Sequence, residues 1–304
     1  MSYAASPPSG RAGPGPALSG DRRLRRRKLV NRVMEVSASI AALIAVAVLA
    51  IVIISVVSKG IGAINLEFLT KNAPVFGQSG GGIANAIVGT AILVALASLM
   101  AVPVGILIGI HTSEFAGARL AGSVRFALDL LNGVPTIVTG IFVFGLLIVG
   151  KAQSGWAGAF ALAIIMLPIV ARSAHEVLAL VPKAMKESAL ALGVSRWKMV
   201  LRIVVPTAAS GMITGALLGV ARVAGETAPL LFTTSIFANE VSTNPAGALA
   251  SIPVKIFSLT EEPSPSAHSQ AWGAALLLIF FILLLNVLAR AIYARSSRRG
   301  RRVQ

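Results

Sequence analysis

Two pairs of opposite charge sit inside long apolar runs: Arg172 with Glu176, and Arg222 with Glu226. Residues four apart share one face of a helix, where opposite charges meet. A charge within a membrane-spanning helix costs roughly 2.5–3.5 kcal/mol on insertion scales, and such residues face a bundle interior or a water-filled path. The planar guanidinium fork binds phosphate-like oxygens at two points at once. A neighbouring glutamate holds the arginine and partly offsets its charge, so a passing oxyanion is bound without being trapped. Glutamate also accepts a hydrogen bond from a protonated oxyanion, which fully deprotonated sulfate does not offer. An anion path is therefore one reading of these four residues. Buried salt bridges that fix helix packing are the other, and Arg172 lies close enough to the end of its run to snorkel. Asp129, near the start of another apolar run, reads as a cap or an interfacial residue. None of this chemistry is covalent, and no catalytic residue is assigned.

A second informative stretch lies between the two pairs: Glu187-Ser188-Ala189, then Gly193, then Ile203-Val204-Val205-Pro206. Pro182 suits the first turn of a helix, where its missing N–H costs nothing. Lys183 to Leu192 contains good helix formers. Gly193 suits a left-handed cap at the helix C-terminus. Ser195 is an N-cap for a second short helix through Arg202, and Pro206 ends that helix and begins the next apolar run. Two short helices around a glycine turn make a compact knob. Trp197 and Met199 are its apolar contacts for a partner, with Arg196 and Lys198 beside them. An amphipathic loop lying on lipid headgroups is the competing reading.

The elements that carry these residues belong to a membrane protein. The chain of 304 residues is 56% hydrophobic and 12% charged, with mean hydropathy +0.83; soluble domains carry about a quarter charged residues. Apolar runs of about 20 residues span a bilayer as helices. Six are read at about 36–57, 83–110, 126–149, 155–180, 208–232 and 272–292. The proline- and glycine-rich residues 1–20 have almost nothing to bury and read as disordered. They open a disordered basic tail over 1–35, ahead of a six-helix domain over 36–292 and a basic tail over 293–304. The paired arginines near Arg22 precede a run too long for a cleaved signal.

With the N-terminus inside, Lys and Arg number 21 in the internal segments and 4 in the external ones. That bias fits the positive-inside rule and puts both termini and the loop 182–206 in the cytoplasm. The net charge of +16 is concentrated at the chain ends beside apolar runs, which argues against nucleic acid as a partner. Cysteine is absent, and His111, His175 and His268 lack metal-ligand spacing, so neither a disulfide framework nor a metal site is expected. No GxxxxGK[ST] run occurs, so ATP chemistry needs a separate chain.

The loop fits the pattern E-A-A, three residues, G, nine residues, I-x-L-P at Glu187, Ala189, Gly193, Ile203 and Pro206, departing at Ser188 and Val205. It resembles the signature of ABC importer permeases. Three further stretches are similar to the phosphate branch of that family, the PstA/PstC group. They are Leu131 to Val138 (LNGVPTIV), Leu167 to Arg172 (LPIVAR) with Glu176, and Ala221 to Leu230 (ARVAGETAPL). The last resembles the PstA side more than the PstC side. The likeness covers about residues 36 to 292.

The resemblance implies an all-α, six-helix type I importer permease of MetI-like fold in a bacterial cell membrane. It implies a PstC-like permease as heterodimer partner, a PstB-like ATPase dimer, an extracytoplasmic PstS-like phosphate-binding protein, and inorganic phosphate as cargo. This chain would bind no cofactor, ATP being used by the partner ATPase. Arg222, Glu226, Arg172 and Glu176 would line the substrate path. Glu187, Ala189, Gly193, Trp197, Ile203 and Pro206 would dock the ATPase. A permease for molybdate or sulfate, and an ion-coupled secondary transporter, remain as alternatives.

Overall fold

A computed structural model describes residues 21–72, 80–235 and 238–300; the expected disorder of 1–20 lies outside them. The chain divides into two compact units, residues 1–55 and 56–304. Helix α1 (Asp21–Gly60) provides the described part of the first. It is followed by a short α2 (Leu66–Thr70), α3 (Ala84–Ile110), α4 (Ala118–Gly133), α5 (Thr136–Val143) and α6 (Gly155–Ala179). Then come α7 (Lys183–Ala191), α8 (Arg196–Met199), α9 (Val205–Ala224), α10 (Ala228–Thr233), α11 (Ile252–Glu261) and α12 (Pro265–Gly300). Among the described residues five helices are long and apolar enough to cross a membrane, and a bent pair, α4 with α5, brings the number to six when the two are counted as one span. The described residues thus match the all-helical, multi-pass architecture expected.

Helix α6 is the centre of the second unit. It packs most extensively on α3 and next on α9. In lipid, helices associate through close backbone approach at small residues rather than through apolar burial from water. Both neighbours of α6 offer such a surface. On α3, a Cβ at Gly105 would come within 2.9 Å of Val170. On α9, Gly211, Gly215 and Gly219 form a stripe one turn apart that faces Val177, Ser173 and Met166 of α6. Leu162, Met166 and Val170 of α6 fill the core with Leu93 and Val223.

Four expectations change. The run 126–149 is not one helix, because the chain bends by 94° between α4 and α5. Pro135 is the cause: it disfavours the α conformation at Val134, which is extended. The run 208–232 is likewise interrupted, since α9 ends at Ala224 and α10 restarts after Gly225–Thr227. Pro206 does not end the helix before it. A five-residue π-turn (Val200–Val204), closed by Val205 N–H to Val200 C=O, carries α8 straight into α9. A widened turn and a proline in the first turn are compatible because neither needs the missing i−4 bond. Residues 21–35, expected as disordered tail, are the start of α1.

Candidate functional site

The loop between α6 and α9 is built as its residues dictate. Pro182 precedes α7 and Gly193 adopts φ +78°. Val194 N–H donates to Ala189 C=O (3.2 Å) and Gly193 N–H to Leu190 C=O (2.9 Å). These two bonds form a Schellman end. Ala189 is buried and Val194 packs beside it in a cluster with Leu178, Met199, Val200 and Val204. Ser195 occupies the N-cap position of α8, but its side chain makes no capping bond.

The outer surface of the knob differs from the expected one. Trp197 is exposed, as a contact residue must be, whereas Met199 is buried and points into the core. Leu192 is 84% exposed, the tip of the turn, and Met185 and Leu190 are also exposed. Sequence reasoning misses these three residues, because apolar residues in a helical stretch read as core. Glu187 is exposed, Ile203 is half-buried, and Pro206 is exposed on the helix behind the knob.

What fixes the knob was not visible in the sequence. Glu114 lies in a π-turn (His111–Phe115) that extends α3. Its carboxylate pairs with Lys186 of α7 at 2.6 Å, with side chains only 5% and 18% exposed. Arg196 of α8 donates to the Glu114 carbonyl and stacks over the Phe115 ring at 5.7 Å.

The two arginines of the apolar runs occupy separate cavities. Arg172 lines one of about 790 Å³ together with Arg125, Asp129, His175, Glu176 and Thr112. Its Nη1 donates to Asp129 Oδ1 at 2.6 Å and its Nε to Glu176 Oε1 at 3.1 Å. Asp129 is therefore neither a cap nor an isolated interfacial residue; it ties α4 to α6. His175 faces the same cavity, its Nδ1 3.1 Å from Thr112 Oγ1.

Arg222, in the last turn of α9, lines a cavity of about 260 Å³ with Asn132, Thr136, Thr139, Phe142 and Ile165. Glu226 lies 3.6 Å from its guanidinium, too long for a hydrogen bond, and is itself only 14% exposed. The walls come from three distant stretches. The bend at Pro135 delivers Asn132 and Thr136, α6 delivers Ile165, and α9 delivers Arg222. Helix α10 closes against α5, where a Cβ on Gly140 would come within 2.6 Å of the Pro229 Cα. The arrangement offers an oxyanion a guanidinium with free donor capacity, an amide and two hydroxyls on an otherwise apolar wall.

Helices of membrane length mark a multi-pass membrane protein. Residues 101–302 match the family of binding-protein-dependent transport system inner membrane components. The chain is 41% identical over 249 residues to the phosphate transport system permease protein PstA of Yersinia pestis, covering 81% of this chain and 84% of that one. It is 37% identical over 274 residues to the PstA of Pasteurella multocida, covering 90% and 97%. It is also 40% identical over 240 residues to a probable PstA of Methanocaldococcus jannaschii, covering 78% and 84%.

Among solved structures, a MetNI methionine ABC transporter in an inward-facing conformation aligns with TM-score 0.57 at 17% identity, covering 71% of this chain and 94% of that one. A bacterial alginate ABC transporter aligns with TM-score 0.56 at 16% identity, covering 94% and 98%. These two show the fold. The chain belongs to the PstA family of phosphate transport system permeases.

Proposed function

We propose that the chain is the membrane-spanning permease subunit of an ATP-driven inorganic phosphate importer, and that phosphate passes through the cavity at Arg222. The observation that carries the cargo is Arg222 itself. Its charge is opposed by one carboxylate beyond hydrogen-bond range, in a cavity lined by Asn132, Thr136 and Thr139. A guanidinium open to the cavity and so lightly compensated favours an anion. The relatives' names support phosphate over molybdate or sulfate.

The knob 182–206 is the docking element for a separate ATPase. Exposed Leu192 and Trp197 supply apolar contact, and Glu187 supplies charge. The charge bias of the sequence supports a cytoplasmic position for this loop and for both termini. A PstC-like permease completes the pathway, a PstB-like ATPase dimer drives it, and a PstS-like binding protein delivers phosphate from outside. The chain itself performs no covalent step and binds no cofactor; closure of the ATPases moves the knob, and the helices rock to open the path alternately to each side.

Reconstitution of the four-component complex in vesicles tests this reading. ATP-dependent uptake of labelled phosphate, unaffected by excess molybdate or sulfate, is the expected result. Uptake that follows an ion gradient without ATP would overturn it. Glu187→Ala and Gly193→Pro are expected to abolish capture of the ATPase; unchanged capture would remove the docking role of the knob.

A further inference from the structure

Among the described ion pairs the most deeply buried, Lys186 with Glu114, lies outside both cavities. It joins the knob to the end of α3. Both helices of the knob grip the same five residues: α7 through Lys186, and α8 through Arg196, which meets the Glu114 carbonyl and the Phe115 ring. The turn they grip is a π-turn, closed by Ala116 N–H to His111 C=O at 2.8 Å, and π-turns are frequent at functional sites. From its other side, Thr112 of the same turn meets His175 of α6 at 3.1 Å. Behind it, α3 and α6 are held backbone to backbone at Gly105.

We propose that Glu114 is a positioning residue for coupling, the point at which a push on the docking knob is passed to the paired helices α3 and α6. The proposal rests on the importer reading above. An exposed ion pair yields under load because water replaces either partner. A buried pair does not, since separating it strands a charge in a low-dielectric site. The strap therefore makes the knob, the π-turn and the α3–α6 pair one mechanical body. Helix α6 carries Arg172 and contributes Ile164 and Ile165 to the wall of the Arg222 cavity. Displacing that body reshapes both cavities without any contact between the ATPase and the path.

The chain has no cysteine, which allows a reversible test in the assembled four-component transporter. Glu114→Cys and Lys186→Cys are introduced together and bridged by a short bifunctional thiosulfonate reagent. The readouts are ATPase capture and phosphate moved per ATP hydrolysed. With the thiols free, phosphate per ATP is expected to fall about ten-fold, within the range of coupling between linked sites, with capture retained. Bridging is expected to restore it, and reductant to abolish it again. The exchange of charges, Glu114→Lys with Lys186→Glu, gives the same comparison without a reagent, against Glu114→Lys alone. Wild-type phosphate per ATP with the thiols free overturns the proposal. So does inactivation on bridging, which would mean that the contact has to open during transport. Absence of ATP-coupled uptake in the wild-type complex instead overturns the importer reading, and the proposal falls with it.

Discussion

Arg172 and Arg222 have the same residue type, the same spacing to a glutamate and the same kind of apolar surroundings in the sequence, yet the structure gives them different partners. Arg172 donates to two carboxylates on two helices, at 2.6 and 3.1 Å, with Arg125 lining the same cavity. Arg222 has one carboxylate at 3.6 Å and faces an amide and two hydroxyls. In the first arrangement two carboxylates hold the guanidinium; in the second no carboxylate among the described residues lies within hydrogen-bond range. Equal spacing thus produces a cross-helix tie in one place and a guanidinium facing an amide and two hydroxyls in the other, and what separates them is Asp129.

That contrast breaks first at Arg222. Arg222→Gln is expected to lower phosphate uptake about a hundred-fold, as for loss of a charged partner in a recognition site, with the complex still assembled. Normal uptake would reduce Arg222 to helix packing. Gly140→Ala should follow in size. Its Cβ meets the Pro229 backbone at 2.6 Å, and overpacking of this kind costs about 1–3 kcal/mol. Thermal unfolding in detergent measures the cost, and raised half-saturation for phosphate would show that α10 must stay closed on α5 to shape the Arg222 cavity.

Asp129→Asn sharpens the other half of the contrast. It leaves Arg172 with Glu176 alone, and uptake is expected to change by only about three-fold, the scale of an exposed pair. A loss as large as that of Arg222→Gln would make the two arginines equivalent after all.

The smallest effect is expected far from both. Lys255 of α11 is buried. Burial pushes its pKa down, and Glu262 opposes that only in part. The folded chain then holds its proton less tightly than the unfolded chain does. The cost of charging Lys255 is therefore present at neutral pH and disappears as pH rises through the lowered pKa toward the ordinary lysine value near 10.4. Lys255→Met is expected to raise Tm by about 2–4 °C at pH 7, with the gain shrinking in alkaline buffer and uptake unchanged.

Local features were legible and long-range ones were not. Gly193 announced a left-handed turn because only its own φ and the few bonds around it are involved. The cavity at Arg222 was half legible: the stretches around Pro135 and Glu226 were marked as informative, but the bend that brings them together was hidden within what reads as one continuous apolar run. Pro206 misled, because a π-turn upstream lets the helix pass through it. Glu114 was invisible, since its partner Lys186 lies 72 residues away and nothing about an acidic residue at the end of an apolar run indicates burial. The glycine stripe at 211, 215 and 219 has a readable spacing, but only its neighbour α6 explains it.

Leu192 stands 84% exposed at the tip of the glycine turn, with Trp197 exposed nearby. Apolar side chains displayed in this way outside lipid are what folding surveillance detects. A newly made copy that has not met its partner carries that flag permanently, because the turn that raises Leu192 is locked by its own backbone. A copy whose tip stays uncovered is expected to be shorter-lived than one in the assembly, and Leu192→Ser is expected to lengthen its half-life in a pulse-chase measurement.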